Sequence, residues 1–154
     1  VRMHREVYRL RQDVHAIVRF ISPNVTALAA LGATPRPRHG FGAYFWPHVP
    51  LWRDSALVRN DAAAQGVART MGGAPGIVVS VNGALVGGAD AAQALTLAIF
   101  LEDAARVELA ARQAGCSDQP CLGADACTER AVWAGQVAER QWAYWTAGDP
   151  ELLP

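Results

Sequence analysis

Two histidines flank the most aromatic stretch of the sequence. His39 and His48 stand on either side of residues 41–46, Phe-Gly-Ala-Tyr-Phe-Trp, in a region rich in proline and glycine. An imidazole acts as a general acid or base near neutral pH, so both side chains are candidate catalytic groups for a site beside this stretch. The alternative is that both are ordinary histidines of a surface loop.

Aromatic residues close to these histidines are candidates for binding a flat apolar ligand. They are Tyr44, Phe45, Trp46 and Trp52. Rings at such spacings also form cores and subunit interfaces, so packing is the alternative interpretation of the group.

Two polar residues stand within or directly after the most strand-like apolar runs. Arg19 interrupts residues 16–21, Ala-Ile-Val-Arg-Phe-Ile, and Asn82 follows residues 77–81, Ile-Val-Val-Ser-Val. A guanidinium held in such a place can stabilise an oxyanion or bind a carboxylate through two parallel hydrogen bonds. The alternative is that Arg19 is buried, pairs with a nearby acid and has no chemical role.

Composition excludes some kinds of function. All 14 basic residues other than histidine are arginines. Schiff-base and pyridoxal phosphate catalysis need a lysine amine, so both are excluded. The formal net charge is zero, and we therefore expect neither nucleic acid nor an anionic membrane as a partner.

The apolar runs also indicate where the protein resides. They are far shorter than the roughly 20 residues that span a bilayer. Residues 1–11 are charged, and the apolar segment after them is too short for a signal peptide and lacks its small-residue cleavage site. We therefore expect a soluble, cytoplasmic protein.

The cysteines do not suggest a metal centre. Cys116, Cys121 and Cys127 lie in one loop-like stretch, and their spacing matches no standard zinc or iron–sulfur pattern. We interpret them as solvent-facing thiols.

The elements that position these residues alternate between helices and strands. Apolar periodicity, capping residues and β-branched runs define them. The predicted helices cover about residues 2–11, 25–31, 61–71, 91–114 and 128–145, and the predicted strands cover 14–20, 43–45, 77–81 and 84–86. This alternation predicts an α/β layered domain, and the length of 154 residues favours a single one, residues 1–154.

The order and spacing of several segments resemble the class II aldolase/adducin family. Residues 4–13 resemble the helix before the family's first metal-binding strand. Residues 87–94, followed by 101–105, resemble the glycine turn and the long helix after the family's second metal-binding strand. The resemblance implies a three-layer αβα sandwich with a central mixed sheet, of which this chain covers roughly the C-terminal two thirds.

The same resemblance marks three positions where histidines hold the family's metal. Its first strand ends in His-x-His before Ser-Pro, and its second ends in His-Gly; the equivalent residues here are Arg19, Ile21 and Asn82. Ile21 offers no ligand atom, the Arg19 guanidinium stays protonated, and Asn82 offers one weak amide oxygen. We therefore expect that the family metal, usually zinc or another divalent ion, is lost, and we expect no other cofactor.

Upstream, family members carry a glycine-rich phosphate-binding loop and a catalytic acid. By this resemblance the acid would fall just before Val1. We therefore expect a chain without the N-terminal part of the family domain, either as a fragment or as a natural truncation whose missing layer a partner supplies.

Family active sites lie at a subunit interface and receive a residue from the neighbour's C-terminal region. By resemblance, the candidates here lie within residues 139–145. Tyr144 could act as a general acid if its phenol pKa were lowered. The alternative is an aromatic anchor for packing.

Three hypotheses about function follow from these observations. The first is a metal-free or non-catalytic subunit of a lyase assembly that acts on a small carbonyl compound or aromatic acid, as a homo-oligomer or with an intact paralogue. The second is a metal-independent decarboxylase, aldol-type lyase or cyclase that uses Arg19 and Asn82, with His39 and His48 nearby. The third is a protein-interaction domain, as in the adducin branch of the family.

Overall fold

A four-stranded mixed sheet forms the centre of the computed structural model, which describes residues 2–151. The strands are β1 (Ala16–Phe20), β2 (Leu51–Trp52), β3 (Gly76–Val79) and β4 (Ala84–Gly88). Their order across the sheet is β1-β4-β3-β2. Strand β4 runs antiparallel to both of its neighbours, whereas β2 runs parallel to β3.

Helices cover both faces of this sheet. They are α1 (Arg2–Leu10), α2 (Pro23–Ala30), α3 (Gly40–Ala43), α4 (Asp61–Met71), α5 (Ala91–Gln113), α6 (Ala124–Arg130) and α7 (Val137–Trp145). Within residues 2–151 none of these helices is long and apolar enough to cross a lipid bilayer.

The two central strands explain why the domain has three layers. Ile77 and Val79 pack in one cluster with residues of α1 and α4 such as Val7 and Val67. Val78, between them, packs in a second cluster with residues of α2 and α5. Successive side chains of a strand point to opposite faces, so an all-apolar strand must be covered on both sides. The predicted three-layer αβα sandwich is confirmed.

Two helices begin where capping residues predict. The Asn60 side chain accepts a hydrogen bond from the backbone N–H of Ala63 at 2.8 Å, and α4 follows directly. The Asp90 side chain accepts from the backbone N–H of Gln93 at 2.7 Å at the start of α5. Each bond satisfies a donor that the first turn of a helix leaves free.

Helix α2 is capped from a distance. Its preceding residue, Ser22, makes no side-chain cap of its own. Instead the Glu102 carboxylate, on α5, accepts from the backbone N–H groups of Asn24 and Val25, both at 3.0 Å, and from the Ser22 hydroxyl at 2.6 Å. A negative charge at a helix N-terminus is favourable, so this contact fixes α2 against α5.

Two sequence-based predictions of elements are wrong. The predicted strand at 43–45 is instead the end of α3 and the turn after it, because the N–H groups of Ala43 and Phe45 bond locally, to the carbonyls of His39 and Gly42. The predicted helix at 128–145 is divided into α6 and α7. Residues 131–136 separate the two helices, and Gly135 and Gln136 there adopt left-handed backbone angles, with φ of 77° and 59°, which a continuous right-handed helix does not contain.

Strand β2 was not predicted. It contains only two residues, which pair with Val78 and Val79 of β3. A segment this short has no periodicity from which a strand could be recognised.

Candidate functional site

The C-terminal end of β1 and the turn between β3 and β4 lie side by side. The turn is closed by hydrogen bonds between the backbone groups of Val79 and Gly83 and of Asn82 and Val79, at 2.8 and 2.9 Å. Gly83 has a φ of +83°, and a Cβ there would collide with the Phe20 carbonyl oxygen at the end of β1. Only glycine allows this approach, so the Asn-Gly sequence fixes the turn against the strand.

This approach brings Arg19 and Asn82 together. Nη2 of Arg19 donates a hydrogen bond to the backbone carbonyl oxygen of Asn82 at 3.2 Å. The Asn82 side chain turns away, and its amide donates to the Ser80 carbonyl at 3.1 Å. The guanidinium is therefore held at the strand end by a backbone acceptor.

Arg19 is neither buried nor paired with an acid, contrary to one of the sequence-based alternatives. Its side chain is exposed, and within residues 2–151 no carboxylate lies within 4.0 Å of it. Because Arg19 makes a single side-chain hydrogen bond there, most of its five N–H donors remain available to an anion.

Two exposed apolar side chains lie at the same end of the sheet as Arg19. Ile21, just beyond β1, is 64% exposed, and Val81, in the turn, is 53% exposed. Val81 also has a φ of 50°, a conformation that is costly for a β-branched residue. The end of the sheet thus carries a guanidinium and two exposed apolar side chains.

His4, on α1, is a neighbour that the sequence analysis did not select. Its Nδ1 atom is buried and has no hydrogen-bond partner in the described part of the chain. Burial lowers the pKa of His4 below its ordinary value, and the positive charge of Arg19 lowers it further. A neutral imidazole is therefore favoured beside the guanidinium. No local signal in residues 2–10 distinguishes this histidine from one that only packs.

His39 lies on the other side of the sheet. Its Nε2 is 2.7 Å from Oδ2 of Asp103, on α5, and its Nδ1 is buried without a partner in residues 2–151. Burial acts to raise the pKa of Asp103, but hydrogen bonds from Arg106 and His39 outweigh burial and hold that pKa below its usual value. Arg19 shares a face of β1 with Ile17, and Ile17 packs toward α1 and α4. His39 lies on the face that carries α5, so the sheet separates the two side chains.

His48 is exposed and lies beside Thr70 and Pro75, near the end of α4. The structure therefore does not bring His39 and His48 together, because one contacts α5 and the other lies beside α4.

The four aromatic candidates do not form one wall. Tyr44 donates from its hydroxyl to the Val132 carbonyl at 2.6 Å, and burial raises its pKa. Phe45 is buried in the cluster under α5, Trp46 is exposed, and Trp52 packs over Gly66 of α4 on the opposite face of the sheet.

Tyr144 is 73% exposed on α7, which packs on α5, and its ring meets that of Trp145 at a centroid distance of 5.3 Å. The structure thus places it away from Arg19, as a residue free to contact another chain.

A buried carboxylate that the sequence analysis missed organises the arginines of the α5 side. Glu108 is fully buried, and its carboxylate pairs with the guanidinium groups of Arg38 at 2.6 Å, Arg112 at 2.9 Å and Arg36 at 3.3 Å. Burial acts to raise its pKa, but hydrogen bonds from Arg38 and Arg36 hold the pKa below its usual value. Two partners lie about 70 residues away in sequence, so no local pattern reveals the cluster.

The cysteines are free thiols, as expected, but not all of them face solvent. Cys116 is exposed, Cys121 is half-buried and Cys127 is buried in α6. Within residues 2–151 no three His, Cys, Asp or Glu side chains are grouped so that they could hold a metal ion.

The layered fold agrees with sequence comparison. The Class II Aldolase and Adducin N-terminal domain matches residues 1–109, so the chain belongs to the class II aldolase and adducin family. Within this family, the chain is similar to the 3,4-dihydroxyphthalate decarboxylase of Rhodococcus jostii (strain RHA1). The two are 28% identical over an alignment of 153 residues, which covers 88% of this chain and 62% of the relative.

Solved structures support the same fold. An L-fuculose 1-phosphate aldolase superposes with a TM-score of 0.75 and 22% identity, over 84% of this chain and 60% of that one. An aldolase II superfamily protein from Pseudomonas syringae superposes with a TM-score of 0.76 and 18% identity, over 93% and 58%. The chain thus spans about three fifths of the length of these relatives.

Proposed function

We propose that this chain is a metal-free subunit of a lyase assembly that acts on a small carbonyl compound or aromatic acid, and that Arg19 binds the carboxylate or oxyanion of the ligand. One observation carries the proposal. The two family positions that converge at the end of the sheet, 19 and 82, supply a guanidinium with free donors and a backbone carbonyl that already accepts from it. The carbonyl orients the guanidinium, and the free N–H donors of the guanidinium can hold an anion.

The same residues do not fit the family's divalent metal. Arg19 adds a positive charge, Ile21 has no donor atom, and the Asn82 side chain is directed to the Ser80 carbonyl. A zinc or similar ion needs neutral imidazole, thiolate or carboxylate ligands. We therefore assign no step of the chemistry to a metal bound at these positions.

The assembly is part of the proposal because the site is open. Ile21 and Val81 leave apolar surface exposed beside Arg19, and a second chain would cover it and exclude water from the ion pair. The partner is a second copy or a paralogue with the three histidines intact.

The decisive experiment isolates the tagged chain from its native cells and identifies what accompanies it. We expect a chain of the same family with intact metal-binding histidines, or a homo-oligomer, and lyase activity that is lost when the assembly is dissociated. An isolated monomer that carries about one equivalent of zinc would contradict the proposal.

One observation favours a second candidate, a metal-independent lyase. Nδ1 of His4 is buried without a partner in the described chain, and the pKa of His4 is lowered by burial and, in part, by the positive charge of Arg19. In an aldol-type cleavage, a neutral imidazole would accept the hydroxyl proton as the C–C bond breaks, and a guanidinium would stabilise the enolate that forms. The relative named as a decarboxylase also fits a reaction that breaks a C–C bond.

A chelator separates the two candidates. A metal-independent lyase would turn over substrate as the single chain in the presence of EDTA, and His4→Gln would abolish that turnover. If instead activity requires the partner chain and EDTA abolishes that activity, the catalytic groups belong to the partner. The subunit proposal then stands.

A further inference from the structure

A cavity of about 310 Å3 lies between α3, α5, α6 and α7, away from Arg19. Its aromatic surface comes from Phe41 and Phe100, whose rings stack with a centroid distance of 4.1 Å and an interplanar angle of 6°. Phe100 is fully buried, whereas Phe41 is 41% exposed. One face of the Phe41 ring is therefore covered, and the rest of the ring remains available to a ligand.

Two arginines line the same cavity, Arg130 at the end of α6 and Arg140 on α7. Within residues 2–151 neither guanidinium lies within 4.0 Å of a carboxylate, and neither donates a side-chain hydrogen bond. Arg130 extends over α3, with Nη1 3.8 Å from where a Cβ on Gly40 would lie. By contrast, the arginines around Glu108 and Asp103 are paired.

We propose that this cavity, the Phe41 cavity, binds an aromatic carboxylate. The ring of the ligand stacks on Phe41, and its carboxylate pairs with Arg130 and Arg140. Stacked rings attract one another beyond their buried area, and a guanidinium matches a carboxylate with two parallel hydrogen bonds. The volume suits a single substituted ring, since cavities for small ligands begin at about 300 Å3.

The inference does not depend on the proposed function. Arg19 lies on the face of the sheet that carries α1 and α4, whereas the Phe41 cavity lies among the helices of the opposite face. Both arginines come from residues 124–145, which lie beyond the 1–109 segment that matches the family.

The test is a titration of the 15N-labelled full chain with benzoate, followed by NMR. We expect a saturable shift of the Gly40 amide signal with a Kd in the millimolar range, as a ligand of about nine heavy atoms allows. Arg130→Gln and Arg140→Gln should each weaken binding about fivefold or more, and Phe41→Leu should do the same. Arg69→Gln, which removes an exposed arginine of α4 that forms no ion pair within residues 2–151, is the matched control and should change nothing.

Three further ligands identify what the cavity recognises. Benzamide keeps the ring without the charge, cyclohexanecarboxylate keeps the charge without the aromatic ring, and inorganic phosphate is a ring-free anion. Each should bind at least about fivefold more weakly than benzoate. Equal binding of cyclohexanecarboxylate, or benzoate binding unchanged in both arginine variants of normal melting temperature, would overturn the inference.

The Gly83 amide reports separately on the Arg19 site. If benzoate shifts Gly83 and leaves Gly40 unmoved, the Phe41 cavity is not a carboxylate site, and the proposed role of Arg19 is unaffected. If Gly40 shifts and Gly83 does not, the Phe41 cavity is supported, and Arg19 does not bind benzoate in the free chain.

Discussion

The Arg19 guanidinium is oriented and also keeps free donors. It is oriented by a hydrogen bond to the Asn82 carbonyl, and its remaining donors have no acidic partner in residues 2–151. Orientation reduces the entropy that a ligand must pay to bind, and the free donors supply the attraction. The contribution of this residue can therefore be separated from the stability of the fold.

Arg19→Leu and Arg19→Lys test that separation. We expect Arg19→Leu to weaken carboxylate binding at the Gly83 signal, or activity of the native assembly, by about tenfold or more, because a charge-assisted pair contributes roughly 1.5–3 kcal/mol. Arg19→Lys keeps the charge but loses the planar fork, so an intermediate loss is expected. The melting temperature should stay nearly constant, because exposed substitutions usually change stability by less than about 0.5 kcal/mol.

Unchanged affinity and activity in Arg19→Leu would remove the chemical role of this position. A large fall in melting temperature would instead mean that the side chain supports the turn at 80–83.

The absent histidines allow a test by restoration. The backbone at the three positions is set by the β1 strand end and the glycine turn, so we expect the triple variant Arg19→His, Ile21→His, Asn82→His to bind about one zinc ion per chain. The natural chain, treated in the same way, should contain substoichiometric metal by elemental analysis. About one metal ion per natural chain would contradict the interpretation of this site as metal-free.

Among the elements, α5 makes the polar connections that hold the layer outside the sheet together. Glu102 caps α2, Asp103 pairs with His39 before α3, and Glu108 binds three arginines. These carboxylates lie on one long helix and reach segments distant in sequence. Loss of one of them should therefore affect an element other than α5 itself.

Glu108→Gln should destabilise the protein by roughly 2–3 kcal/mol. Removing one partner of a buried ion pair leaves the other charge poorly compensated. The expected loss of stability is small for a buried pair because Arg36 and Arg112 remain partly exposed to water. Denaturant unfolding measures the change, and Glu139→Gln on exposed α7 surface is the matched control.

The same carboxylate gives a pH dependence. Its pKa in the folded protein lies below the ordinary 4.5, so its contribution is fully present above that pH and is lost as the pH falls through the folded-state pKa. The stability difference between the natural chain and Glu108→Gln should therefore shrink below about pH 4.5. A difference that stays constant down to acid unfolding would show that charge is not the cause.

At the scale of the whole molecule, large apolar side chains remain exposed in several places, including Ile21, Leu10, Tyr144 and Trp145. The rings of Tyr144 and Trp145 contact each other on α7, and an exposed apolar patch of this kind often forms an interface with another chain. The chain also spans only part of the length of its relatives.

We therefore expect an oligomer or a complex with another chain. Light scattering coupled to size-exclusion chromatography at micromolar concentration should give a mass at least twice that of the 16.4 kDa chain. A stable, well-behaved monomer would count against assembly. Substituting Tyr144 and Trp145 by serine should reduce the mass if α7 forms the interface, and should leave it unchanged if the Ile21 end does.

Local signals in the sequence determine much of this protein. Asn60 and Asp90 start helices, β-branched runs form β1 and β3, and Asn82-Gly83 forms the turn, because each depends on the conformational preferences of a few adjacent residues. The order of these segments was also sufficient to recognise the family and its three-layer fold.

Only the tertiary structure decided which side chains meet. The contact between Arg19 and Asn82 spans 63 residues, and the ion pair between Arg38 and Glu108 spans 70. Packing between distant elements also places Tyr44 and Trp52 on opposite faces of the sheet. It likewise brings Arg130 and Arg140 to the same cavity as Phe41. Such contacts are set by how whole layers fit together, and no short window of sequence contains that information.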